Sequence, residues 1–263
     1  MQIPFKKGLF LNITSRNKSK WAKDIENLSN FQFLDFIEIW IEEIDLNTDE
    51  IAWLKQKLSP YEIIIHAPFI NLSLISIQKS INEATINILK KSIDIGEQLN
   101  AKIITMHGGS FPLFLKQPAV KRIFVINFQQ LINYADNKIE ITIENTSIKK
   151  NTQISYPVLL NELSDIQSSI PNINFTLDVG HCIQNNDKFV NFLLKNKKYI
   201  KNIHLHNAIK NGTAHFGFNK KGDLKLKNFM DSLKNINYSN FLSLEILGEQ
   251  DIKKSWELLL KSL

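Results

Sequence analysis

Eight short runs rich in β-forming residues alternate with eight longer segments of helical character, and this order constrains the fold more than any other feature. The runs lie at 8–13, 33–40, 61–66, 102–107, 138–144, 173–178, 201–206 and 241–246. The helical segments lie near 19–29, 48–58, 78–99, 117–136, 156–168, 187–198, 224–235 and 250–262. Thr48 and Asp187 are placed to cap helix starts, and Asn211-Gly212 marks a turn. Eight strands, each followed by a helix, predict an α/β fold: a single (β/α)8 TIM barrel spanning 1–263 as one domain. The 263 residues match the roughly 250 that such a barrel uses. An open doubly wound sheet is the alternative, but the chain has neither G-x-G-x-x-G nor a Walker loop to support a nucleotide fold.

The strands carry a second message. In 139–144, Ile139, Ile141 and Ile143 share one face and Glu140, Thr142 and Glu144 the other. In 173–178, Asn174, Thr176 and Asp178 oppose Ile173, Phe175 and Leu177; in 241–246, Ser243 and Glu245 oppose Leu242, Leu244 and Ile246. Period-two alternation gives each strand an apolar face for the helices and a polar face for the barrel interior. The last inward residues, which reach the C-terminal mouth where barrel active sites sit, are Glu38, His66, His107, Glu144, Asp178, His204 with His206, and Glu245. His181 follows Asp178, and His215 lies in the loop after the seventh strand, so all six histidines fall at strand ends or in the loops beyond them and none on a predicted helix. Neutral imidazole and carboxylate together suit Zn, Mn, Fe or Co, and a carboxylate-rich shell favours Mn or Mg. No Lys or Arg stands at the strand ends, so one or more divalent cations offset the repulsion within such a ring. Cys182 adjoins His181 and is expected to point elsewhere.

Composition narrows the partners. The net charge of +6 comes from lysines spread over predicted helix faces and turns, and only Arg16 and Arg122 are arginines. Bidentate phosphate contacts favour arginine, so nucleic acid is the weaker partner class. The single cysteine gives no intrachain disulfide, no apolar run reaches the ~20 residues of a membrane helix, and the N-terminal stretch lacks a signal-peptide core. These features place the expected protein in the cytoplasm, with no membrane association and an open oligomeric state.

HAPFINLS (66–73), MHGGS (106–110), IENT (143–146), LDVGH (177–181), IHLHN (203–207) and LEIL (244–247) resemble, in that order, the strand ends of the xylose-isomerase-like barrel superfamily. The group includes sugar and sugar-phosphate isomerases and epimerases as well as the endonuclease IV nucleases. Resemblance to the first branch implies one metal held by Glu144, Asp178, His204 and Glu245. It also implies proton transfer next to a carbonyl through a metal-stabilised enediolate, with Glu144 and Glu245 exchanging the proton. The resemblance makes His181 a substrate-orienting group; Glu38, His206 and His215 are also expected substrate contacts, with a structural role as the alternative for His206 and an outer-metal role for His215. Resemblance to the nucleases implies zinc, with a first ion on His66, His107 and Glu144 and a second on the four-residue set, bridged by Glu144. The third nuclease site needs an Asp-x-His pair, and this chain reads Thr213-Ala214-His215. The Tyr-Leu wedge of the nucleases is reduced to Phe69, and their glycine-rich stretch is Ser147-Ile148-Lys149-Lys150. The leading expectation is therefore a divalent-metal-dependent isomerase or epimerase, with one or two ions, acting on a sugar or sugar phosphate. A zinc metallohydrolase of the endonuclease IV type, cleaving phosphodiesters at abasic DNA, is the alternative.

Overall fold

Backbone pairing closes eight parallel strands into a barrel in the computed structural model, which describes residues 5–13, 18–42, 45–136, 138–148 and 153–263. The barrel strands are β1 (Lys6–Asn12), β2 (Phe36–Trp40), β3 (Glu62–His66), β4 (Ile103–Met106), β6 (Glu140–Glu144), β8 (Asn174–Asp178), β9 (Ile200–Leu205) and β10 (Phe241–Leu244). β1 closes the ring by pairing with both β2 and β10. The helices α1 (Lys18–Asn27), α2 (Thr48–Lys57), α3 (Lys79–Gln98), α4 (Gln117–Ala135), α5 (Leu160–Ser169), α6 (Val179–Gln184), α7 (Phe189–Asn196), α8 (Leu226–Asn235) and α9 (Glu249–Ser262) follow the strands in turn. Among the described residues, no helix is long and apolar enough to cross a membrane.

The barrel follows from strand parity. Outward residues such as Ile37, Ile39, Ile65, Ile104, Ile143, Phe175, Leu177, Ile203 and Leu242 are buried in one continuous core against the helices. The inward residues change character along the strands. Near the N-terminal end, Phe36, Ile64, Ile103 and Phe241 form a separate apolar plug, and the Phe36 and Phe241 rings meet edge to face at 4.9 Å. Gly8 faces this plug; a Cβ there would lie 2.4 Å from the Phe36 ring. Further along, Thr105, Thr142 and Thr176 join their hydroxyls at 2.7–3.3 Å. Glu140 shares the inward face with Glu144, as expected, but lies at the bottom rim, where Asn174 and Lys201 bind its carboxylate.

Several elements depart from the sequence reading. The second strand starts at Phe36 rather than residue 33, because Phe33 adopts a left-handed turn conformation (φ 61°). The helix expected from 156 starts at Leu160, since Pro157 keeps Tyr156 out of helical geometry and Glu162 accepts the Val158 and Leu159 amides ahead of the first turn. Two three-residue strands, β5 (Ser110–Pro112) and β7 (Gln153–Ser155), pair antiparallel outside the barrel. The cap of α2 is Asn47, one residue before Thr48, in a reciprocal box with Glu50. Asp187 does not cap through the amides of α7's first turn beyond Lys188; it reaches across to the first amide of α5, Leu160 N–H, at 2.7 Å. The turn at Asn211-Gly212 is present, with Asn211 at φ 56°.

Candidate metal centre and active site

The C-terminal ends of β3, β4, β6, β8, β9 and β10 converge on one cluster of buried imidazoles and carboxylates. Ligand atoms of Glu144, Asp178, His204 and Glu245 lie within 4.8 Å of one another, as do those of His66, His107 and Glu144, and those of His181, His206 and His215. Glu144 belongs to two of these groups. Its Oε2 lies 3.0 Å from His107 Nε2 and 3.4 Å from both His66 Nε2 and His204 Nδ1. The two imidazole nitrogens of His66 and His107 are themselves 3.2 Å apart.

Neighbouring groups set how each ligand presents itself. Glu38, fully buried, accepts His204 Nε2–H at 2.9 Å, Asn202 Nδ2–H at 2.9 Å and the Ser243 hydroxyl. That bond assigns the His204 proton to Nε2 and turns Nδ1 toward Glu144 and Glu245. His66 likewise gives Nδ1–H to the Ala67 carbonyl at 3.0 Å, leaving Nε2 for the cluster. Asp178 is held three ways. Its Oδ1 accepts the His181 amide at 2.6 Å and so caps α6, and its Oδ2 accepts His206 Nε2–H at 3.1 Å. Asn145 clasps its backbone from both sides, accepting Asp178 N–H and donating to Asp178 C=O, each at 2.9 Å.

Electrostatics follow from this crowding. Burial alone would raise Glu144, yet the charges of His204 and His107 hold it well below the ordinary carboxylate range. Burial would likewise raise Asp178 and Glu245; His181 and His206 lower the first, and His204 and His215 the second. Burial would push His204 down, but without an ion Glu38, Glu144 and Glu245 keep it well above the usual imidazole value, so a bound cation would take the place of a proton on Nδ1. Burial opposes a charge on His181 too, but Asp178 and Glu144 lift it to about 9. Burial and His206 push His215 down to about 4.

Two atoms test whether a cation fits. His204 Nδ1 and Glu245 Oε2 are both buried and lack a hydrogen-bond partner, although they lie 3.0 Å apart. A buried imidazole nitrogen beside an unsatisfied carboxylate oxygen costs free energy unless a proton or metal joins them. The donor set of one His and three carboxylates suits a divalent ion, and the His66–His107–Glu144 set offers room for a second.

A cavity of about 500 Å³ opens above the cluster, with His66, His107, Glu144, His181, His215 and Glu245 on its inner lining. Glu38 and His206 do not line it. Glu38, expected as a substrate contact, lies under His204, and His206 lies beside Asp178 and against Gly180, with its Nδ1 accepting the His215 amide at 3.0 Å. Strand parity selects the inward face but not the depth along it, and Trp40, two residues beyond Glu38, occupies the mouth that the sequence reading assigned to Glu38. Trp40 stacks on Phe69 at 5.4 Å, and Phe69 stacks on His107 at 4.6 Å. Glu42 binds the Phe69 and Ile70 amides and the Trp40 indole N–H, fixing this aromatic wall. The parity that singled out Glu38 also marked Trp40. His181, expected in a loop, sits in the first turn of α6, and Cys182 faces Asn145 rather than the cavity, its thiol pushed up by burial.

The family model described as Xylose isomerase-like TIM barrel matches residues 34–263, and the chain belongs to that family. Among solved structures, it is similar to a D-tagatose 3-epimerase-like protein, with 20% identity, TM-score 0.83 and coverage of 97% of this chain and 96% of the other. The D-allulose 3-epimerase from Methylomonas sp., solved in complex with D-allulose, superposes with a TM-score of 0.80 at 15% identity over 100% of this chain and 99% of that one. An uncharacterised protein of Methanocaldococcus jannaschii is 27% identical over 269 residues, covering 92% of this chain and 90% of its own.

Proposed function

We propose that the protein is a divalent-metal-dependent sugar isomerase or epimerase that moves a proton at a carbon next to a carbonyl. The observation that carries this reading is the unpartnered pair His204 Nδ1 and Glu245 Oε2 within the set Glu144, Asp178, His204 and Glu245. These four residues would hold the ion. When bound, it polarises carbonyl and hydroxyl oxygens and stabilises the negative charge that develops on them. Glu144 and Glu245 both face the cavity. One, as the carboxylate, takes the proton from carbon; the other enters the turnover protonated and gives its proton to the same carbon, after which both re-equilibrate with solvent, or the first passes the proton it took to the neighbouring carbon. His181 and His215, whose Nε2 atoms lie 3.1 Å apart and whose Nδ1 atoms lie 3.5 Å from Glu144 and 3.6 Å from Glu245, respectively, orient the substrate hydroxyls beside the two glutamates. Glu38 and His206 act indirectly, by orienting His204 and Asp178.

The epimerase neighbours are consistent with a small ketose as substrate, and D-allulose and D-tagatose are the first probes. Incubation with either sugar in deuterated water is expected to place deuterium at the epimerised carbon in the wild type, but not in Glu144→Gln or Glu245→Gln. Unchanged exchange in both variants would sink the proton-transfer assignment.

The compact His66–His107–Glu144 group favours a second reading, a two-ion phosphodiesterase. Zinc-loaded protein incubated with abasic duplex DNA separates the two; strand incision would displace the isomerase reading, and its absence would support it.

A further inference from the structure

The cavity lining is chemically mixed. It holds the ionisable cluster together with Asn71, Ser73, Thr146, Ser147 and Gln153. Its remaining lining includes Leu72, Ile77, Ile81 and Pro112. Among the described lining residues there is no lysine or arginine.

Ile77 and Ile81 are 56% and 45% exposed, and the surrounding structure keeps them so. Within α3, Ile81, Thr85 and Leu89 follow one another at four-residue steps, and Thr85 and Leu89 are buried against the barrel. Ile81 continues that stripe one turn past the barrel wall, into the cavity. Ile77 is braced on both sides. Asn82 accepts the Ser76 amide at 2.9 Å and donates to the Ser76 carbonyl at 2.7 Å, and the Ser76 hydroxyl accepts the Gln78 amide at 3.0 Å. The same loop buries Leu74 and Ile75 completely, and Asn127 ties down the Leu74 carbonyl at 2.7 Å. Backbone bonds on each side thus stop Ile77 from turning inward. Leu72, Ile77, Ile81 and Pro112 are the apolar part of a concave lining whose other members are polar, the composition of a site that holds a ligand with both kinds of surface. A volume near 500 Å³ also lies in the ~300–1,000 Å³ range of small-molecule pockets.

We infer that the substrate is an uncharged sugar bearing an apolar substituent, whose polyol end meets the Glu144–Glu245 cluster and whose alkyl or aryl group lies on Ile77 and Ile81. This inference rests on the sugar reading above and names its substrate class.

The test is calorimetric titration of the metal-loaded protein with D-fructose carrying a methyl, butyl, hexyl or phenyl ether at O6, which leaves the carbonyl free, below any micelle-forming concentration. Affinity is expected to rise about threefold to fourfold for each methylene that becomes buried. The doubly substituted Ile77→Ser, Ile81→Ser variant should bind the methyl ether as the wild type does and lose the chain-length dependence. Equal affinity for the methyl and hexyl ethers, no binding of any of them, or an undiminished dependence in the variant would overturn the inference. So would tighter binding of fructose 6-phosphate than of the hexyl ether. A wild-type dimer that the double substitution dissociates would show the wall to be an interface between copies, and would also overturn it. Deuterium exchange into D-allulose together with a flat chain-length series would refute this inference alone and leave the isomerase reading standing.

Discussion

The two ends of the barrel interior are built from the same strands and solve opposite problems. At the N-terminal end, Phe36, Ile64, Ile103 and Phe241 exclude water and need no partners. At the C-terminal end, the same four strands lead to Glu38, His66, His107 and Glu245, each within reach of another ionisable side chain: His204 for Glu38 and Glu245, and Glu144 for His66 and His107. In β2 the change takes one inward step, from Phe36 to Glu38. The plug makes the barrel a closed core, so the polar end can carry unsatisfied groups aimed at a ligand. Stability resides at one end and chemistry at the other.

Substitutions can break this division or sharpen it. The largest effect is expected from Glu144→Gln, which should lower turnover by about 10²–10⁴-fold while leaving the unfolding midpoint in urea near that of the wild type. Phe36→Ala should do the reverse. It empties the plug under Gly8 and should cost about 3–5 kcal/mol in urea unfolding, with metal stoichiometry per folded chain unchanged. If Phe36→Ala lowered the stoichiometry as well, the two ends would not be independent. Glu38→Gln joins the two regions. It keeps the shape but puts an amide where three donors converge, and it should weaken metal affinity about 10–100-fold in chelator competition, with a smaller loss of stability.

The smallest effect concerns pH. His215 is held neutral in the fold, at about 4 against 6.5 for an unperturbed imidazole. A depressed histidine contributes its stability above the unfolded value and loses it as pH falls from 6.5 toward 4, because the unfolded chain takes up the proton first. Unfolding of metal-free protein at pH 7 and pH 5 should therefore show His215→Gln gaining relative to wild type at the lower pH, by up to about 2 kcal/mol. An unchanged difference between the two pH values would place His215 in water rather than against His206.

The same contrast explains what was legible in the sequence. Strand parity is a property of the backbone, so the inward set Glu144, Asp178, His204 and Glu245 was readable from alternation and from the LDVGH and IHLHN segments. Depth is a property of tilt and stagger, which the alternation does not encode. Glu38 was therefore assigned to the mouth, at the level where Trp40 stands; His206, for which a structural role was the alternative, packs against Asp178 and Gly180 outside the cavity lining. Helix α6 was missed because six residues carry no useful periodicity, and its start depends on a carboxylate already counted as a ligand. The pair β5 and β7 was missed because three residues cannot show alternation. The aromatic wall depends on Glu42 gathering amides from another loop, a long-range contact with no local signature.

Asn145 stands one residue beyond the end of β6 and bonds both backbone groups of Asp178. Its side-chain amide replaces the next peptide group of the strand and adds one more rung to the β6–β8 ladder. The Asp178 carboxylate is thereby mounted on the sheet and not on a loop. On warming, the spacing of this part of the centre should hold while the surrounding loops loosen, and be lost only when the strands themselves separate. Thermal inactivation and thermal melting should then share one temperature.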